Sequence, residues 1–152
     1  MSLRNQIKMT QEEINSFLKE QTSIQIGTIN MDGTPHLTTL WFQLDASNII
    51  FHTYTKSQKI KNLKRDNRIT VISELGTEYQ NLKGVVIYGE AKIISGDDMH
   101  EKVMSGIELV ALKYNNGSVS KEYLDSMKQQ AEKRSVVVVK PIKYISWDHK
   151  KI

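Results

Sequence analysis

Between residues 23 and 94 the chain offers five strand-length runs separated by turn chemistry, and this pattern restricts the fold more than any other feature of the sequence. SIQIGTIN (23–30) alternates through Ile24 and Ile26, MDGT supplies an Asp-Gly turn, and PHLTTLWFQL (35–44) resumes an extended pattern. Pro35 is tolerable as the first residue of a strand, where no ladder donor is needed. DAS (45–47) reads as a second turn and NIIFHTY (48–54) as a third strand. RITVISE (68–74) and KGVVIYGEAKII (83–94) complete the five, with Gly89 a bulge or close-approach point. SVVVVKPIKYISW, near the end of the chain, supplies a sixth strand. Six short strands, the last far from the others in sequence, predict a mainly β, α+β domain: an antiparallel barrel with Greek-key closure.

Helical periods fill the intervals. Thr10 and Glu13 form a capping box before Ile14, Phe17 and Leu18, which predicts a helix over about 11–20. Ile60 and Leu63, three apart among lysines, indicate a short surface helix with one buried edge. Ser95 and Asp98 read as a cap before the stripe Met99, Val103, Met104, Ile107, Val110 and Ala111, and a helix to about 113 is expected. NNGS (115–118) breaks it, and Tyr123, Leu124, Met127 and Ala131 predict another helix ending near Arg134. Three to four helices therefore flank the sheet. No repeat or composition shift divides residues 1–152, so a single domain is expected. Several strands are apolar on both faces, and the second face needs helices or another subunit over it. Of the two, a homodimer is expected.

Composition narrows the chemistry. The 152 residues contain no cysteine, which removes disulfides, thiolate catalysis and Cys-based metal sites and fits a reducing compartment. No apolar run approaches the ~20 residues of a membrane helix, and MSLRNQIKMTQEE lacks a signal core, so a cytoplasmic location is expected. The net charge of +4 is local. HTYTKSQKIKNLKRDNR (52–68) holds six of the 21 Lys and Arg residues against one carboxylate, Asp66.

His36, His52, His100 and His149 show no metal-ligand spacing, and neither G-x-x-x-x-G-K-[ST] nor G-x-G-x-x-G occurs. No catalytic acid, base or nucleophile can be named. The basic stretch carries the remaining signal. Thr53, Thr55, Ser57 and Lys59 place hydroxyls, an ammonium and turn amides where a small phosphate could be held. Alternatively, Lys56, Lys61, Lys64, Arg65 and Arg68 could meet nucleic-acid phosphates with Tyr54 stacking on a base, but the aromatics do not otherwise interleave with the basic residues.

The order DGTPH (32–36), FHTY (51–54), TKSQKIKNLKRDNR (55–68) and VVIYGEA (85–91) resembles the pyridoxamine 5'-phosphate oxidase-like family of flavin-binding split β-barrels, over about residues 10–94 with a closing strand to Trp147. The resemblance implies a six-stranded split barrel that dimerises and holds two FMN molecules in clefts between subunits. It implies that Ser57 and Lys59 hold the cofactor phosphate, with Gln58 standing where many relatives carry arginine. By the same resemblance His52 and Thr53 line the ring and ribityl chain. His36, Leu37, Thr38, Thr39 and Trp41 would run along the isoalloxazine, partly through backbone groups, while Trp147 either approaches the cofactor or closes the barrel.

The chain also departs from the family pattern. WDHKKI shows nothing like the R-x-x-R-L-x-P motif of members that oxidise pyridoxamine phosphate, which argues against that substrate. A related branch uses F420, and FAD and heme occur among more distant relatives. The expected function is an FMN-dependent oxidoreductase acting on a small molecule, with an F420-dependent reductase or a non-catalytic flavin or heme carrier as alternatives. No membrane partner is expected.

Overall fold

The structure is a computed structural model of the chain and describes residues 2–152. Seven strands form one antiparallel sheet in the order β2-β1-β5-β6-β7-β4-β3. They are β1 (Ile24–Ile29), β2 (Pro35–Leu40), β3 (Gln43–Asp45), β4 (Asn48–Tyr54), β5 (Arg68–Leu75), β6 (Lys83–Ile94) and β7 (Arg134–Asp148). Five α-helices accompany them: α1 (Leu3–Gln6), α2 (Gln11–Glu20), α3 (Gln58–Arg65), α4 (His100–Tyr114) and α5 (Lys121–Ala131).

Local chemistry explains most of these elements. Both halves of the capping box form at α2, Thr10 Oγ1 accepting from the Glu13 amide and Glu13 accepting from the Thr10 amide, and the helix buries Ile14, Phe17 and Leu18. The β1–β2 turn closes on Gly33 at φ 87°, with Asp32 Oδ1 accepting from the Thr34 amide and hydroxyl. In the long β6–β7 antiparallel ladder the register slips between Tyr88 and Gly89, so that Tyr88 faces Lys143 while Gly89 faces Pro141. Ile142 is the extra residue of this bulge. A side chain at Gly89 would put a Cβ only 2.7 Å from the Lys140 carbonyl oxygen, so the bulge requires glycine.

The bulge divides this strand pair between two half-sheets. β5 pairs with Lys83–Glu90 of β6, whereas β4 pairs with Arg134–Val139 of β7. Both halves turn one face toward a common core of Ile24, Ile26, Val71, Val85 and Ile87 on one side and Ile49, Phe51, Val137 and Val139 on the other. The strand order stays open, ending at β2 and β3.

The opposite faces have different fates. Beneath β4 and β7, Ile50 and Val136 pack with Val103, Ile107 and Val110 of α4 and Met127 and Ala131 of α5. On β2, β6 and the bulge, Leu37, Tyr88 and Ile142 stay exposed along a groove of about 540 Å³ that also includes Gly27, Pro35 and Thr70. Helices thus cover one half of the doubly apolar sheet and leave the other bare.

Four expectations need correction. The sheet has seven strands rather than six because PHLTTLWFQL is two strands. The chain leaves β1 after Leu40, Phe42 turns fully into the core with its amide donating to the Tyr114 hydroxyl at 3.0 Å, and β3 then joins β4. Among the described residues the α-helices number five rather than three to four, because the four-residue α1 precedes the helices that were expected. Ser95 caps nothing: Gly96 at φ 102° leads into a 3-10 turn over Asp97–Met99, and α4 starts at His100 without a side-chain cap. Similarly, α5 stops at Ala131 and Arg134 is the first residue of β7. Among the described residues no helix is long and apolar enough to cross a membrane.

Candidate functional site

The end of β4 and the start of β7 lie side by side, and α3 begins immediately beyond them. Thr53 pairs with Ser135 in the register, and both side chains face the core side of the sheet. Thr55 and Ser135 share a hydroxyl–hydroxyl hydrogen bond of 2.9 Å, and the Thr55 amide donates to the Lys133 carbonyl. The chain then turns through Ser57, whose amide donates to the Tyr54 carbonyl, and enters α3. Ser57 occupies the N-cap position, yet its hydroxyl makes no capping bond and is buried without any partner. The first amides of α3 therefore lack the acceptor that an N-cap serine usually provides.

Lys59 completes this corner. Its ammonium donates to Thr53 Oγ1 at 3.1 Å, and partial burial pulls its pKa below the ordinary lysine value. An ammonium, a serine hydroxyl without a partner and a helix N-terminus thus stand within three residues of chain, Ser57 to Lys59, and these are donor types a phosphate accepts from.

What aims α3 is Asn62, completely buried on its inner edge. Its Nδ2 donates to Thr28 Oγ1 at 3.0 Å and to Asn30 Oδ1 at 2.9 Å, and its Oδ1 accepts from Gln58 Nε2 at 2.9 Å. Arg65 donates to the Ile29 carbonyl. The helix is thereby tied to β1 by polar bonds as well as by Ile60 and Leu63. Gln58, held by Asn62, faces a cleft of about 440 Å³ shared with His36, Asn30, Met31 and Asp32.

Along β2 the pleat separates neighbours. His36 and Thr38 pair with Thr28 and Ile26 and face the core side, while Leu37 and Thr39 point to the exposed face. His36 Nδ1 and Thr38 Oγ1 are both buried without partners. Since β2 pairs only with β1, its outer edge leaves backbone groups free as well. Trp41 lies beyond β2, exposed and stacked on Tyr114 at the end of α4, with 4.2 Å between ring centroids and 12° between planes.

On the other face of β4, His52 Nδ1 lies 3.1 Å from Arg134 Nη1. Burial, reinforced by the Arg134 charge, lowers the His52 pKa to about 4. The Arg134 guanidinium stands 4.4 Å from the Tyr54 ring centroid, and its buried Nε has no partner.

Of the residues singled out in the sequence, the chain gathers Thr53, Ser57 and Lys59 at one corner, places His36 and Gln58 on the adjoining cleft, and sets His52 on the reverse side of β4. Trp147 is elsewhere: its ring lies against Gly84 at the far end of β7 from Ser135, where it packs one strand on the next. Asn62, Tyr114, Ser135 and Arg134 were missed. Arg134 had one available signal, being one of only four arginines. Among the described residues, no cluster of three or more His, Asp or Glu side chains could hold a metal.

Comparisons with known proteins agree with this architecture. Comparison with curated proteins returns no match. Among solved structures, the conserved hypothetical protein Rv2991 from Mycobacterium tuberculosis superposes with a TM-score of 0.88 at 32% identity, covering 99% of this chain and 92% of that one. An F420 reductase gives 0.65 at 20% identity, over 89% of this chain and 98% of that one. HutZ, the heme storage protein from Vibrio cholerae, gives 0.66 at 14% identity, over 91% and 96%. The last two share the fold. Residues 10–148 match the family model described as pyridoxamine 5'-phosphate oxidase, and the chain belongs to that family.

Proposed function

We propose that the protein is an FMN-binding oxidoreductase with a split-barrel fold that works as a homodimer. The observation that carries this reading is the start of α3, where the unpartnered Ser57 hydroxyl, the uncapped helix amides and the Lys59 ammonium follow one another in the chain. The donors suit a phosphomonoester. A second observation fits the same ligand: buried polar atoms without partners are uncommon in folded proteins, and three of those found here belong to His36, Thr38 and Ser57. Each is a residue that the family resemblance assigns to the cofactor.

A bound FMN would supply the electron and hydride chemistry. The chain's own part is to bind and orient. Ser57, Lys59 and the first turn of α3 would hold the phosphate, and Thr53 and its hydroxyl neighbours would border the ribityl chain. His36, Thr38 and the free edge of β2 would face the ring with hydrogen-bonding groups. The exposed face bearing Leu37, Tyr88 and Ile142 would be covered by a second copy, which would also bring the two cofactor clefts into the interface.

Equilibrium titration with FMN and, in parallel, with F420 tests the cofactor. Binding of FMN supports the reading, preference for F420 replaces it by a reductase of the same fold, and indifference to both overturns it. Multiple turnovers with NAD(P)H and an electron acceptor separate an enzyme from a flavin carrier. Light scattering of the purified protein tests the dimer.

A further inference from the structure

We propose that Arg134 is a positioning residue that locks His52 into a single tautomer, with the proton on Nε2, so that His52 meets a ligand on its own face of β4, opposite Thr53, as a hydrogen-bond donor and not as a base. The lock rests on the geometry of this chain alone, whereas the donor role rests on reading His52 as part of the cofactor site.

A guanidinium has five N–H donors and no acceptor. The 3.1 Å contact between Arg134 Nη1 and His52 Nδ1 therefore has one polarity, with Arg134 donating and Nδ1 accepting. A neutral imidazole that accepts at Nδ1 carries its proton on Nε2. That atom makes no hydrogen bond within the described residues.

Arg134 is itself well placed. Tyr54 pairs with Arg134 and His52 with Val136, which puts all three polar side chains on one face of the β4–β7 ladder. The guanidinium rests over the Tyr54 ring, and its Nη2 donates to Gln130 Oε1 at 3.4 Å from the end of α5. The polar groups beside His52 on this face are thus Tyr54 on its own strand and Arg134 on β7, the latter bonded onward to Gln130 of α5. None is a carboxylate. Nothing there favours the imidazolium, and both burial and the Arg134 charge oppose it. His52 accordingly offers a fixed N–H to a carbonyl, a ring nitrogen or a phosphate oxygen.

Long-range 1H–15N spectra of the apo protein, labelled at histidine, read the tautomer directly. The expected result is an Nε2–H imidazole for His52 that remains neutral on titration from pH 8 to pH 5. An Nδ1–H tautomer, or protonation near the ordinary histidine value, overturns the lock. Arg134→Lys keeps a donor and should keep the tautomer, whereas Arg134→Leu should give mixed tautomers and raise the His52 titration point; identical spectra for Arg134→Leu and the parent also overturn it. Saturation with FMN should shift the Nε2–H signal. An unmoved signal on a saturated protein overturns the donor role, while failure of FMN to bind counts against the cofactor reading and leaves the apo spectra to decide the lock.

Discussion

The Lys59 ammonium donates to Thr53 Oγ1 across 3.1 Å and joins the first turn of α3 to the end of β4. A cation partly removed from water, its pKa lowered by burial, gains most from an anionic partner. Lys59→Ala is therefore expected to weaken FMN binding by about 1.5–3 kcal/mol, the usual range for a hydrogen bond to a charged group. That is roughly a ten- to hundredfold rise in Kd by fluorescence titration. Lys64→Ala, exposed on the same helix, should leave Kd unchanged. Equal affinity of Lys59→Ala and the parent would discard the phosphate assignment.

His52 predicts a pH dependence of stability. Its folded pKa of about 4 lies below the ordinary 6.5, so the unfolded chain takes up the proton first. The contribution is complete above pH 6.5 and is lost as the pH falls from 6.5 toward 4. The difference corresponds to at most about 3 kcal/mol. Urea unfolding at pH 7.5 and 4.5 should show a smaller loss in His52→Gln than in the parent, the carboxylates titrating equally in both. Parallel losses would place His52 in solvent.

Gly106 sets a close approach between α4 and β7. A Cβ there would stand 2.6 Å from Val136 Cγ2. Replacing a helical glycine by alanine usually gains up to ~1 kcal/mol, but overpacking costs about 1–3 kcal/mol. Gly106→Ala should therefore destabilise, and the double variant Gly106→Ala/Val136→Ala should recover more stability than Val136→Ala alone predicts. Thermal melts of the three variants decide this, and a stabilised single variant would contradict it.

Asn62 is a fully bonded amide on the buried edge of α3. Asn62→Leu conserves bulk but strands the Thr28 hydroxyl in the core and frees Gln58, at a cost of about 1–3 kcal/mol. Because the same bonds aim α3, FMN affinity should fall with stability. In Gly106→Ala, at the α4–β7 contact, Kd should hold while stability drops. Calorimetry and titration on both variants separate the two effects, and an Asn62→Leu protein with the parent's Kd would show that α3 is positioned by Ile60 and Leu63 alone.

The sequence by itself determined the local elements. The Thr10–Glu13 box, the Asp-Gly turn, the Gly89 bulge and the buried edge at Ile60 and Leu63 were all legible, because each depends on residues within about one turn or one strand of each other. The phosphate-binding candidates Thr53, Ser57 and Lys59 were legible for the same reason: seven residues of continuous chain, 53–59, carry the strand end, the turn and the helix start.

Only the tertiary structure decided what crosses the fold. Arg134 reaches His52 over 82 positions and Tyr114 bonds Phe42 over 72, and neither pairing has a local signature. Both follow from strand register and from which face α4 and α5 cover. The break at Trp41 and Phe42 was hidden because β-rich composition is the same on either side of it. Core burial of Phe42, shared by distant strands, ends β2 and sends the chain to β4. Such contacts arise from packing one common interior, and the chain's periodicity holds no record of which residues will meet there.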